Sequence, residues 1–477
     1  MKTNTVALPL AAFGLCVVFG CQGAGISDNR PNILIILLDD AGYNDFGFMG
    51  SPDLETPRID SLARTGIVCT DAHVSATVSS PSRAGILTGR YQQRFGYECN
   101  QGPGANVYLP VGEETIGSVL QRNGYRTACV GKWHQGDAEC FHPNRRGFDY
   151  FYGFLSGGRS YFYRPSSHDK PGNRSNLLEN DSQQHFDGRY LTDLFGEKAV
   201  GFLERTPGPF MLYLAFNAVH TPMEATSEDM ARYEGHPRQK LAAMTWAVDR
   251  AVGRVVDCLK AQGRFDDTLI FFLSDNGGAH NNMSSNFPYK GFKGNKYEAG
   301  HRVPFFVHWG DRLAEGGSYD GLISSLDIFA TVLAAAGIGD TVLRDSCDGV
   351  DLIPFLARGR QGSPHVTLYW RKDRAAAVRD GNYKLIRVEK VGIRLYDLEN
   401  DPGEIRDLSA DTLKVEELSR KLEAWERDMG RPFWTEGRDW NDVTREIHGD
   451  LMENRPVRFY TPGKMKKIES SVLKETR

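Results

Sequence analysis

The sequence predicts an α/β fold: a large, mostly parallel β-sheet sandwiched by helices, with a smaller α+β subdomain at the C-terminus. Three patterns lead there. Apolar runs at 33–38, 210–216 and 268–273 are nearly uninterrupted, as in strands buried on both faces of a parallel sheet. Helical periodicity lies between them: Ile59, Leu62 and Ala63 share one face of a segment at 57–66, and 241–260 reads as a longer helix. Beyond about residue 360, short alternating runs at 365–370, 375–388 and 393–398 suggest a small antiparallel sheet. Val415, Leu418, Leu422, Trp425 and Met429 then recur at helical spacing, with Gly430 as the stop.

The chain has 477 residues, enough for a large core and two domains. The expected division is a leader at 1–20, a catalytic domain at 21–360 and a subdomain at 361–477 with a basic tail. A formal charge of −4 argues against a nucleic-acid-binding body. Lys2 and the apolar stretch 6–20 read as an export signal, too short for a transmembrane helix. Val18-Phe19-Gly20-Cys21 resembles a bacterial lipobox, which makes Cys21 the expected lipid-bearing first residue of an exported, periplasmic or surface protein; the plainer reading is a secretory signal with an incidental cysteine. The cysteines beyond the leader are scattered, with no Cys-x-x-Cys pair, so a zinc site is not expected.

Taken in order, the strand at 32–38 stops at Asp39 and Asp40. Ligands in open α/β sheets bind at the carboxyl ends of strands. Two carboxylates there repel unless a cation neutralises them, and oxygen-only donors point to calcium or magnesium. The plain alternative is a solvated acidic turn. Next comes Ser79-Ser80-Pro81-Ser82-Arg83. Pro81 suits a first helical turn and Ser80 an N-cap before it. Ser79 would then stand at the positive end of the helix, with Arg83 one turn in, able to face an oxyanion. The strand at 125–130 ends in Gly131-Lys132-Trp133-His134; at extended spacing Lys132 and His134 point the same way. Phe148, Tyr150, Phe151, Tyr152, Phe154, Tyr161, Phe162 and Tyr163 are core aromatics or a platform for sugar rings, and 165–184 reads as a loop near the site mouth. His220 follows the strand at 210–216, and Asp275 and Asn276 follow the one at 268–273. With Asp39 and Asp40 they make four oxygen donors from two strand ends, a set that suits a hard divalent cation.

Ser79-x-Pro81-Ser82-Arg83 followed by Leu87-Thr88-Gly89-Arg90 resembles the sulfatase pattern of Cys or Ser-x-Pro-Ser-Arg with a trailing Thr-Gly. Asp39-Asp40, Gly-Lys-Trp-His at 131–134, Asn217-x-x-His220-Thr221-Pro222, Asp275-Asn276-Gly277 and the stretch 290–304 are similar to further motifs of that family, the formylglycine-dependent (type I) sulfatases of the alkaline phosphatase superfamily. The resemblance implies that Ser79 is oxidised to formylglycine (3-oxoalanine) by a radical-type maturase. It implies Asp39, Asp40, Ser79, Asp275 and Asn276 around Ca2+, with Mg2+ the alternative, and Arg83, Lys132, His134, His220 and Lys293 as the other catalytic residues. Lys293 takes the place of the family's lysine by its spacing to Glu298 and Arg302; Lys290 and Lys296 compete for that register. Ala299 stands where the family has a glycine. The expected reaction is hydrolysis of a sulfate ester, most naturally on a sulfated carbohydrate. The rival readings are a phosphoesterase of the same superfamily and an inactive glycan-binding relative.

Overall fold

The structure is a computed structural model and describes Met1 and residues 30–100, 108–162, 175–184, 188–339 and 346–458. The leader, Cys21, Tyr163 and the basic tail at 464–477 lie outside the described residues. The strands are β1 (Asn32–Leu38), β2 (Ile67–Cys69), β3 (Ala72–His73), β4 (Arg126–Lys132), β5 (Tyr150–Phe154), β6 (Leu178–Glu179), β7 (Ser182–Gln183), β8 (Phe210–Ala215), β9 (Thr268–Ser274), β10 (Phe305–His308), β11 (Gly317–Tyr319) and β12 (Ile323–Ser324). Ten of them form one sheet in the order β11-β2-β10-β9-β1-β8-β4-β5-β6-β7. The central five, β9 to β5, are all parallel; antiparallel pairs lie toward both edges.

Alternation along β1 explains the two layers. Leu34, Ile36 and Leu38 face one core with helices Leu191–Glu204 and Gln239–Ala261; Ile33, Ile35 and Leu37 face a second core with helices Ser79–Thr88, Ile116–Arg122 and Asp327–Ala335. Both faces are covered, so the strand carries no polar side. The parallel register sets Leu37 beside Ala215 and Leu273, and Val130 beside Leu214, so four strands end along one edge.

A separate antiparallel sheet runs β13 (Thr367–Lys372), β14 (Ala375–Asp380), β15 (Tyr383–Val388), β16 (Gly392–Asp397) and is covered by helix Thr412–Arg427. The run at 375–388 is two strands, because Gly381 at φ 57° turns the chain between them. Helix Arg438–Met452 has no counterpart in the sequence reading, and the expected loop at 165–184 contains the short hairpin β6–β7. The aromatics at 148, 150, 151, 152, 154 and 161 are buried core; Phe162 is half-buried. Among the described residues no helix is long and apolar enough to cross a membrane, and the six cysteines are unpaired.

Candidate active site

Asp39 and Asp40 leave β1, Lys132 and His134 leave β4, His220 follows β8, and Asp275 and Asn276 leave β9. Asp40 and His134 adopt left-handed φ values of 62° and 58°, which turn the chain sharply as it leaves the strand. Ser79 approaches from the opposite layer. The helix begins at Ser79 itself, with Val78 as its extended N-cap and no side-chain cap. Ser80 is therefore not the cap: its Oγ donates to His134 O at 2.7 Å and its N–H to Asn100 Oδ1 at 3.0 Å. The physical reason is tertiary. Ser79 Oγ sits 3.1 Å from both Asp39 Oδ1 and Asn276 Oδ1, which draws residue 79 into the first turn. Pro81 then falls inside that turn, where a missing N–H costs nothing.

The oxygen donors close into a ring. Asn276 Nδ2 donates to Asp40 Oδ1 at 2.8 Å, so the amide presents its oxygen to Ser79. Asp39, Asp40, Asp275 and Asn276 are all within 2% of full burial. Carboxylate and amide oxygens crowded this way have the chemistry of a calcium or magnesium ligand set, and Oγ of residue 79 completes it. Lys132 Nζ lies 2.6 Å from Asp39 Oδ2, Lys293 Nζ 2.7 Å from Asp40 Oδ1 and Arg83 Nε 2.7 Å from Asp275 Oδ2. Three protein cations thus balance three carboxylates, and a divalent ion would leave the site positive, ready for an anion.

The titration behaviour follows. Burial opposes ionisation of Asp39, but Lys132 with His220 and Arg83 holds its carboxyl below the ordinary range. Lys293 and His220 do the same for Asp40 against burial. Burial lowers Lys132, whereas Asp40 and Asp39 raise Lys293 despite its burial. Burial and the surrounding cations Lys132, Arg83 and Lys293 push His134 well down, so its ring is neutral at pH 7. His220 Nδ1 lies 2.6 Å from Thr221 O and donates to it, which leaves Nε2 toward Asp40 Oδ2 at 3.7 Å. Lys293 and His220 have 19% and 24% of their side chains exposed and mark the mouth of the site.

Residues 31–338 match the family model described as Sulfatase, and residues 292–428 match N-sulphoglucosamine sulphohydrolase, C-terminal. The chain belongs to the sulfatase family. It is 33% identical over 399 residues to the uncharacterized sulfatase YdeN of Escherichia coli (strain K12), covering 72% of this chain and 68% of that one. It is 30% identical over 393 residues to N-acetylgalactosamine-6-sulfatase of Homo sapiens, covering 76% and 72%. Among solved structures, Ps i-CgsB in complex with k-i-k-neocarrahexaose superposes with a TM-score of 0.81 at 36% identity, covering 87% of this chain and 96% of that one. The PsFucS1 sulfatase from Pseudoalteromonas sp. gives 0.71 at 25%, covering 84% and 90%.

All ten predicted site residues of this sulfatase meet in one place. Lys293 is the lysine of its loop that reaches the cluster; Lys290 Nζ donates to Glu404 O and Lys296 Nζ to Thr77 Oγ1. Arg83 differs from the sequence expectation in direction: its fork turns inward, to Asp275 and to Lys132 O at 2.9 Å, away from the mouth. The sequence reading missed the braces. Asn282 Nδ2 and Ser284 Oγ each donate to Asp40 O at 3.0 Å, and Tyr161 Oη donates to His220 O at 2.8 Å. Gly157 backs onto His134, where an added Cβ would lie 2.6 Å from Nε2. The glycine pair 157–158 was the available signal. A second cluster, His73, Glu298 and His301, has metal-like spacing. Lys384 Nζ already stands 2.9 Å from Glu298 Oε1 and 3.1 Å from His301 Nε2, so the protein's own cation fills it.

Proposed function

We propose that this sulfatase removes sulfate from O-sulfated sugars of a polysaccharide or glycosaminoglycan. The observation that carries the reading is the ring of buried oxygen donors around Ser79 Oγ, backed by Lys132, Lys293 and Arg83. A sulfate ester needs neutralised charge, a held nucleophile and a proton for the leaving oxygen. A bare serine is a weak nucleophile. As formylglycine hydrate, residue 79 would supply one hydroxyl to attack sulfur as the alcohol leaves; deprotonation of the other would then expel sulfate and leave the aldehyde, which water rehydrates. Asp39, Asp40, Asp275 and Asn276 would hold Ca2+, or Mg2+ as the alternative, which would supply positive charge for the sulfate ester.

The chain's own residues divide the remaining work. Lys132 and the inner edge of His134 line the floor of the anion site. Neutral His134 accepts a proton from the hydroxyl at residue 79. Lys293, kept charged by Asp40 and Asp39, and His220, with Nε2 inward, stand at the mouth and face the leaving oxygen, to which they deliver a hydrogen bond and a proton. Arg83 holds Asp275 in place from beneath. The carbohydrate assignment is supported by the relatives: one solved neighbour is described with neocarrahexaose, and several relatives are named N-acetylgalactosamine-6-sulfatase. Export behind a lipobox, with Cys21 as the anchor and a serine-type radical maturase as partner, places the enzyme where polymeric glycans are met.

The test is mass spectrometry of active enzyme together with sulfate release from regio-defined sulfated monosaccharides. Ser79 should be lighter by two hydrogens, or hydrated, and at least one sugar should lose sulfate. Full activity with unmodified Ser79 would refute the mechanism, and preference for a phosphate ester of the same alcohol would refute the reaction.

A further inference from the structure

We propose that Lys296 is a positioning residue: its buried amine ties the loop carrying Lys293 to the turn carrying Ser79. The inference rests on the roles proposed above for those two residues. Lys296 is 1% exposed. Its Nζ donates to Thr77 Oγ1 at 3.1 Å, and Thr77 lies two residues before Ser79. The backbone repeats the link, with Gly294 N donating to Thr77 O at 2.8 Å. On the other flank Lys293 N donates to Gly278 O at 3.1 Å, two residues beyond Asn276. One loop is therefore stitched to the turn that enters the Ser79 helix and to the turn that presents the metal-facing amide.

The same loop is held from behind by the C-terminal part of the chain. Lys296 N donates to His448 Nε2 at 3.2 Å, Glu298 N to Glu404 Oε2 at 2.7 Å, and Lys290 Nζ to Glu404 O at 2.9 Å. The three lysines of the loop thus have separate tasks: Lys290 anchors it outward, Lys293 enters the site and Lys296 braces it inward. Among the described residues Lys296 makes no ion pair, and burial, with Lys372 nearby, brings its amine down to about 7. An alkyl side chain would fill that space without desolvating an amine. The hydrogen bond the amine adds is the one to Thr77.

The experiment uses the matured full chain and the sulfated sugar that the wild type turns over fastest. Lys296→Met, Thr77→Val, their double variant and Thr77→Ser are compared for kcat, KM and thermal unfolding. Lys296→Met and Thr77→Val should each lower kcat by roughly ten- to a hundredfold, the scale of small misplacements of catalytic groups. KM should move less than about twofold, as for an interaction expressed in the transition state. The double variant should be no slower than the worse single one, since both delete one bond. Thr77→Ser, which keeps the hydroxyl, should stay near wild type. Wild-type kcat in Thr77→Val overturns the proposal whether or not Lys296→Met folds. So do multiplying losses in the double variant, or lower melting with kcat per folded molecule unchanged. A wild type that releases no sulfate from any ester refutes the proposed function, and this inference with it; an active wild type beside an unaffected Thr77→Val refutes this inference alone.

Discussion

Arg83→Met isolates the electrostatics of the site. The native side chain is fully buried, with Nε 2.7 Å from Asp275 Oδ2 and Nη1 2.9 Å from Lys132 O. Asp275 and its neighbours raise the guanidinium pKa against the effect of burial, so Arg83 is charged at every working pH. Methionine keeps much of the volume and suits a helix, but it leaves Asp275 in the core without its nearest cation. Breaking a buried pair from one side costs about 3–5 kcal/mol. Calcium changes the comparison, because Asp275 faces the oxygen ring and a bound divalent ion restores part of the lost charge. The assay is urea unfolding of the two proteins, once in EDTA and once in calcium. At a hundredfold excess over Kd, ligand binding stabilises a protein by about 2.7 kcal/mol. The variant gains at least as much as the wild type, so the deficit is largest in chelator and narrows in calcium. Equal stability in EDTA would refute the assignment of Arg83 to Asp275, and a deficit that widens on adding calcium would refute the assignment of Asp275 to the metal.

Ser79→Ala should abolish sulfate release while its unfolding free energy in calcium, from urea curves, stays within about 1 kcal/mol of wild type, since one hydroxyl is lost; residual turnover would point to another nucleophile. Gly157→Ala should cut kcat by roughly ten- to a hundredfold by displacing the His134 ring, the scale of a small misplacement, whereas Gly158→Ala, whose Cβ would lie 3.5 Å from His220, should be tolerated; the reverse order would mean the rim is built differently. His448 is buried and held near 3 by that burial, against 6.5 for the free side chain. Between those values the unfolded chain binds more protons, so stability rises with pH by up to about 1.4 kcal/mol per unit from this residue. His448→Gln, which keeps an acceptor for Lys296 N, should flatten that slope in unfolding curves taken from pH 4 to 6.5, and an unchanged slope excludes the assignment.

The central strands were legible because burial on both faces leaves an unbroken apolar record, as in Ile33 to Leu38 and Leu269 to Leu273. Their carboxyl ends could then be read as one edge, which is why Asp39, Lys132, His220 and Asp275 were expected together. Local rules failed where tertiary forces prevailed. Ser80 has the right chemistry for a cap, yet Ser79 Oγ is drawn to Asp39 and Asn276 and the helix starts two residues early, with Val78 as its cap. The direction of Arg83 is invisible in a sequence, because it depends on Asp275, 192 positions away. Spacing to Glu298 and Arg302 singled out Lys293 from Lys290 and Lys296, but the partners of the other two, Glu404 O and Thr77 Oγ1, come from distant parts of the chain and left no trace in the sequence. Helix Arg438–Met452 escaped notice because its buried side includes His448 and Asp450, polar residues that blur the apolar stripe.

The groups gathered at the strand ends and the glycine pair that backs His134 come from different parts of the chain. β9, β1, β8 and β4 are consecutive in the sheet, so the distances among Asp275, Asp39, His220 and Lys132 are tied to ladder spacing of about 4.8 Å per strand. The glycine pair at the rim belongs instead to the excursion between β5 and helix Leu191–Glu204. A different excursion at that point would have to keep Gly157 behind His134 and Tyr161 against His220 O, because both act on groups held by the central strands. Chimeras are therefore best joined beyond Tyr161, and exchanges that cut across the central strands are the ones to avoid.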